Sequence, residues 1–149
     1  MRLLLDTHVL MWWQFDTPQL RNEVKSAIRD AEIVYVSAAS AWEADIKRKL
    51  GKLAFPGAFM NVLAENDFTE LPVTMRHAAA TLALPLYHRD PFDRMLVAQV
   101  IVEGCTLVTS DDALGRMGST CWWRRRTMDP DLRRDDKWIP TFGGMTAGV

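Results

Sequence analysis

Apolar positions along this chain fall into two alternating patterns: short unbroken runs, and longer stretches at helical spacing. Arg2 to Leu5 is a run that ends at Asp6, and the apolar N-terminal stretch MRLLLDTHVLMWW is read as a first core strand. The segment TPQLRNEVKSAIRDA predicts a helix with Thr17 as N-cap and Pro18 at its first position. Its Leu20, Val24, Ala27, Ile28 and Ala31 share one face. Ile33 to Ser37, IVYVS, is β-branched and predicts a strand. AASAWEADIKRKLG then predicts a helix closed by Gly51.

Further on, FPGAFMNVLAEN predicts a short helix, TELPV a short strand, and TMRHAAATLALP a helix stopped at Pro85. The stretch from Met95 to Val102 is almost wholly apolar and predicts a helix buried on most sides, ended by Gly104. CTLVTSD predicts another buried strand, and STCWW a last short one. Strands alternating with helices predict an α/β fold, with a mainly parallel sheet covered on both faces. Residues 1–123 are expected to form one domain. Residues 124–149 mix charge, Pro and Gly with little periodicity and are expected to be a loosely held extension.

Composition narrows the class. With 48% hydrophobic and 25% charged residues, the chain is ordinary for a folded globular protein and wrong for a disordered one. A formal net charge of −1 supplies no global basic field, so a nucleic acid would have to be met by a local patch or through metal ions. Cys105 and Cys121 offer neither a disulfide framework nor zinc spacing, which fits a reducing cytoplasm. No run reaches the length of a membrane span.

The carboxylates are distributed unevenly. Ligands of open α/β sheets collect beyond the carboxyl ends of strands. Asp6 follows the first strand, Asp111 and Asp112 follow TLVTS, and Glu43 lies on the helix after IVYVS. Glu43 also borders the apolar stripe of Ala39, Ile46 and Leu50, where an unpaired carboxylate is costly. Lys47, four residues on, is the obvious cation near it. In DPFDR, Asp90 suits an N-cap, Pro91 the first helical position and Asp93 the third. Capping explains that motif by itself. The sharper explanation gathers Asp93 with Asp6, Glu43 and Asp111 around Mg²⁺ or Mn²⁺, hard cations that suit oxygen ligands. Such ions activate a water and clamp phosphate oxygens in phosphodiester hydrolysis.

LLLDTHVLMWW, VSAASAWEADIKRKLGKL, HRDPFDRMLVAQ and TLVTSD together resemble the PIN-domain ribonucleases, in particular VapC-like toxins of toxin–antitoxin pairs. The blocks occur in family order from about Arg2 to Asp112. The resemblance implies an α/β/α sandwich around a central parallel sheet, with an acidic Mg²⁺ site that cleaves RNA. It places the family's acids on Asp6, Glu43, Asp93 and Asp111, with Asp90 in support or capping. Thr7, Ser110 and Asp112 would orient carboxylates or waters. Arg89 and Arg94 either contact phosphate or neutralise the acids beside them. An antitoxin partner and a homodimer are further implications. The arginine-rich remainder after Trp123 has no counterpart in the family pattern.

Two other functions compete. A strand followed by Asp, as in LLLDT, is similar to the haloacid-dehalogenase type of Mg²⁺ phosphotransfer enzyme, but His8 occupies the place of its second Asp. A non-catalytic binding module would use the acids only as caps and surface charge. Trp12, Trp13 and Trp42 suit either base stacking or packing at the core and interfaces, and WWRRR either an RNA contact or a solvated tail. His8, His77 and His88 are scattered and have no zinc-ligand spacing.

Overall fold

A computed structural model of the protein describes residues 1–55, 57–85, 90–111, 114 and 121–122. The extension expected at residues 124–149 lies outside them, as do Arg89 and Asp112. Five strands, β1 (Arg2–Leu5), β2 (Ile33–Ser37), β3 (Thr69–Leu71), β4 (Thr106–Val108) and β5 (Cys121–Trp122), form one sheet in the order β3-β2-β1-β4-β5. Every pairing is parallel.

Side-chain alternation assigns the helices to layers. Leu3 and Leu5 of β1, Val34 and Val36 of β2, and Val108 of β4 face one core. Residues of α1 (Thr7–Gln14), α2 (Asn22–Asp30), α3 (Ala38–Lys49) and α4 (Phe59–Asn66) join them there. Leu4, Tyr35 and Leu107 point the other way, into a second core with α5 (Met75–Thr81) and α6 (Pro91–Glu103). Helices on both sides of a parallel sheet make the expected α/β/α sandwich. The central strand β1 is buried on both faces, which is why Leu3, Leu4 and Leu5 run without a polar break.

Several boundaries depart from the sequence reading. The first strand stops at Leu5, and the rest of the N-terminal apolar stretch is helix α1. Asp6 causes the switch: its carboxylate accepts the Val9 amide at 2.7 Å and caps the helix. The next helix begins at Asn22, not Pro18, with Arg21 as a cap that supplies no side-chain bond. Thr17 to Leu20 instead close a separate turn, held by Leu20 N–H to Thr17 O at 3.2 Å, and Leu20 is buried. α4 starts only at Phe59, and α5 ends at Thr81.

The α6 expectation holds in detail. Asp90 caps it, Pro91 occupies its first position, and Gly104 ends it in the left-handed region at φ 66°. Leu96, Val97, Ala98, Gln99 and Val100 are all buried, so the helix is held rigidly from behind its N-terminus. His77 ties α5 to its far end. Its Nδ1 accepts the Thr74 amide at 3.0 Å, and its Nε2 lies 2.8 Å from Oε1 of Glu103. Thr74 Oγ1 accepts the His77 amide in return, so the histidine takes the place usually held by Glu or Gln in a capping box.

His77→Ala is therefore expected to lower the unfolding free energy by about 2–4 kcal/mol, from two lost hydrogen bonds and a buried void. Urea denaturation followed by circular dichroism measures it. A loss below about 0.5 kcal/mol would remove His77 from the structural account.

Candidate functional site

The order of strands reverses at β1, which lies between β2 and β4. In sheets of this kind a crevice opens beyond the carboxyl ends at that point. Asp6 sits in it. Its amide donates to Val108 O of β4 at 3.1 Å, and its two carboxylate oxygens are held separately. Oδ1 accepts the Val9 amide, and Oδ2 accepts the hydroxyl of buried Thr109 in a short hydrogen bond. Thr109 Oγ1 also accepts the Asp111 amide at 3.1 Å. One hydrogen-bonded path thus runs from α1 through Asp6 and Thr109 to Asp111. Burial pushes the Asp6 carboxyl up to about 6; the bonds from Thr109 and Val9 oppose that rise, and the charge of Asp111 adds to it.

Glu43 reaches the site from α3. That helix is capped by Ser37, whose hydroxyl accepts the Ala39 amide at 3.0 Å. Thr7 Oγ1 donates to Ser40 Oγ at 3.1 Å, which fastens α1 to α3 beneath the acids. Glu43 is buried as expected, but the stripe offered as the reason is not the inward face. Ile46 and Leu50 are exposed, and the buried positions are Ala39, Ser40, Glu43 and Ala44. The inward face of α3 is narrow and partly polar because it packs beside the crevice rather than deep in the core. Lys47 Nζ lies 3.4 Å from Oε2 of Glu43.

Asp93 stands at the N-terminus of α6, half-buried. Asp90 Oδ1 accepts the amides of Phe92 at 2.8 Å and Asp93 at 3.2 Å, which orients the first turn. Burial pushes the Asp93 carboxyl up to about 9, with further contributions, in order, from Asp90, Asp6, Glu43 and Asp111. Acids from separate elements therefore act on Asp93 across the crevice. Among the described residues, no three acidic, His or Cys side chains already converge tightly enough to hold a metal ion. The donor set nevertheless suits a hard divalent cation. Carboxylate oxygens are the ligands such cations prefer, and a cation near buried acids offsets the cost of their burial.

His8 shares this environment. Burial lowers its pKa, Glu43 opposes that, Lys47 assists it, and Asp111 and Asp90 act as Glu43 does. Its Nε2 is buried without a hydrogen-bond partner among the described residues. Ser110 is half-buried on the loop between Thr109 and Asp111. Arg94 bonds to the carbonyls of Thr81 (2.8 Å), Pro85 (3.0 Å) and Leu84 (3.4 Å), which closes the end of α5. Trp42 is exposed and meets Phe92 edge-on at 5.3 Å, close to Asp93 in sequence. Trp13 is packed on the core with Nε1 donating to Asn66 Oδ1 at 2.9 Å, and Trp12 packs on the same core.

Thr109 and Ser40 escaped the sequence reading. TLVTSD contains adjacent hydroxyls, and only the strand register tells which one turns inward. Ser40 offers no signal until α1 is known to be a helix.

Comparison with known proteins agrees with these features. Residues 3–119 match the PIN domain family. The chain is 36% identical over 118 residues to Ribonuclease VapC22 of Mycobacterium tuberculosis, covering 75% of this chain and 88% of that protein. Among solved structures, VapBC2 from Rickettsia felis bound to a promoter DNA fragment aligns with a TM-score of 0.59 at 13% identity, over 82% of this chain and 98% of that one. A toxin-antitoxin complex from Klebsiella pneumoniae aligns with a TM-score of 0.52 at 18% identity, over 73% and 86% respectively. These two likenesses are of fold.

The raised carboxyls carry a pH consequence. Unfolded aspartates titrate near pH 4, so below that the folded and unfolded chains bind the same protons at these sites. Above it the unfolded chain loses protons that the folded site retains. The stability from Asp6 and Asp93 is then lost as pH rises through about 6 and about 9. In chelator, the melting temperature is expected to fall between about pH 6 and about pH 9, and Asp93→Asn to flatten most of that slope. Parallel curves for the two proteins would show that the Asp93 carboxyl is not raised in the folded chain.

Proposed function

We propose that this chain, which belongs to the PIN-domain family and is VapC-like, is a Mg²⁺- or Mn²⁺-dependent endoribonuclease acting as the toxin of a toxin–antitoxin pair. The observation that carries the reading is the buried, doubly hydrogen-bonded Asp6 in the crevice beyond β1 and β4, with Asp93 at the start of α6 within reach of the charges of Asp6, Glu43 and Asp111. Its ribonuclease relative and its fold neighbours support the same reading.

In this reading the four carboxylates hold the divalent ion. When bound, the ion supplies Lewis acidity for an attacking water and positive charge for the scissile phosphate. The chain's own residues do the positioning. Thr109 and the Val9 amide fix both oxygens of Asp6 from opposite sides, leaving lone pairs on each for a cation. Asp90 caps α6, and the buried body of that helix prevents Asp93 from retreating as charge builds up. Thr7 holds α3 in place through Ser40, so Glu43 keeps its position. Ser110 and Asp112 are assigned to orienting carboxylates or water. Arg89 is the arginine assigned to the RNA phosphate, since Arg94 is engaged by the α5 carbonyls. With ligands at two strand exits, on α3 and at the start of α6, the reaction would need no protein nucleophile.

The partners follow from the family. An antitoxin protein would mask the site, and a homodimer would be the working unit. No helix of the described residues is long and apolar enough to cross a membrane.

Purified protein is expected to cleave single-stranded RNA in Mg²⁺ or Mn²⁺ and to lose that activity in chelator. Asp93→Asn and Asp6→Asn are expected to lose about 100-fold or more in rate, the scale of removing one electrostatic stabiliser of a transition state. Mg²⁺ should also raise the melting temperature, because an ion that binds only the folded state stabilises it by about 2.7 kcal/mol at a hundredfold excess over Kd. Folded variants that cleave as well as wild type would overturn the site assignment, and a melting temperature indifferent to metal would favour a binding module.

A further inference from the structure

Resting on the metal-site reading above, we propose that Lys47 is a resident counter-cation of Glu43, which the divalent ion must displace in order to bind. The chain's own lysine then sets the metal affinity of the site.

Three consecutive basic residues, Lys47, Arg48 and Lys49, close α3. Any of them would complement the negative end of the helix dipole. Their surroundings differ. Arg48 turns outward to Asp45 at 3.5 Å and to the Gly57 carbonyl at 2.9 Å, and Lys49 is exposed. Lys47 alone of the three is set on a buried acid: its Nζ is 3.4 Å from Glu43 Oε2, with side-chain exposures of 23% and 7%. An exposed pair at this spacing would count for little, but a buried carboxylate left without a partner is strongly destabilising. The ammonium also lies on the acid side of the helix, since its charge acts on His8 together with those of Glu43, Asp111 and Asp90.

Two cations on the one Glu43 carboxylate would repel each other, whichever of its oxygens each takes. At the short separations that a shared carboxylate imposes, like-charge repulsion changes affinity by about tenfold or more. The flexible four-carbon stem of lysine allows the head group to leave while its apolar part stays packed. Lys47 therefore holds the metal-free acids together and yields when a divalent ion arrives.

The test is Mn²⁺ binding by isothermal titration calorimetry on the full chain, comparing wild type with Lys47→Met, Lys47→Arg and Asp93→Asn. Lys47→Met keeps the stem without the charge. It is expected to bind Mn²⁺ about tenfold tighter or more, while its metal-free form melts lower than wild type. Lys47→Arg, which retains the charge, should stay within about threefold of wild type. Unchanged or weaker binding in Lys47→Met overturns the proposal. A readout on wild type covers the case in which Lys47→Met does not fold. The ¹⁵Nζ resonance of Lys47, identified by its loss in Lys47→Arg, should move in step with Mg²⁺ occupancy, and a resonance that stays fixed as Mg²⁺ binds also overturns it. If wild type binds no Mn²⁺, or Asp93→Asn binds it equally well, the metal-site reading fails and takes this proposal with it. Asp93-dependent binding with no gain in Lys47→Met removes the lysine proposal alone.

Discussion

A buried carboxylate has to be satisfied by whatever surrounds it, and at Asp6 that requirement joins the central strand, the first helix and the neighbouring strand β4. The residue is 5% exposed at the carboxyl end of the innermost strand, where desolvation alone would drive it neutral. Two donors oppose this, the Val9 amide from α1 and the Thr109 hydroxyl from beyond β4. The same bonds that keep an acid in this position stop β1, start α1 and bridge the crevice at which the strand order reverses. Asp6 therefore both caps α1 and, in the proposed function, would serve as a ligand through the same carboxylate.

Asp93 meets the same constraint differently. It has a whole helix behind it, apolar and buried, entering the second core from the opposite layer of the sandwich. Asp90 and Pro91 take the work of starting that helix, which leaves Asp93 at the third position to face the crevice. The result is an acid brought close to Asp6, Glu43 and Asp111 and unable to move away, with its ionisation pushed up to about 9. On the α3 side, Glu43 has a cation beside it, with Lys47 Nζ 3.4 Å from its Oε2.

The motif DPFDR was legible because capping chemistry is local: the side chain of Asp90 reaches amides two and three residues away, whatever the rest of the chain does. The strands were legible because a parallel sheet covered on both faces demands unbroken apolar runs. Helix α1 was not, since THVLMWW is as apolar as the strand before it and its period shows only once Asp6 is known to cap it. The burial of Glu43 was anticipated for a reason that fails, because Ile46 and Leu50 face outward. Thr109 passed unnoticed, since the choice between Thr109 and Ser110 depends on how β4 emerges beside β1.

What the residue order determined by itself, then, was the list of parts: alternating strands and helices, the caps at Asp90 and Gly104, and four acids at strand exits and a helix start. Each of these depends on interactions spanning a few residues, which any reading of neighbours can recover. Only the tertiary structure decided which groups share a space. Asp6 and Thr109 are separated by 103 residues, and Thr7 and Ser40 by 33, yet each pair is in hydrogen-bond contact. Such contacts arise from strand order and layer packing, which are properties of the whole chain.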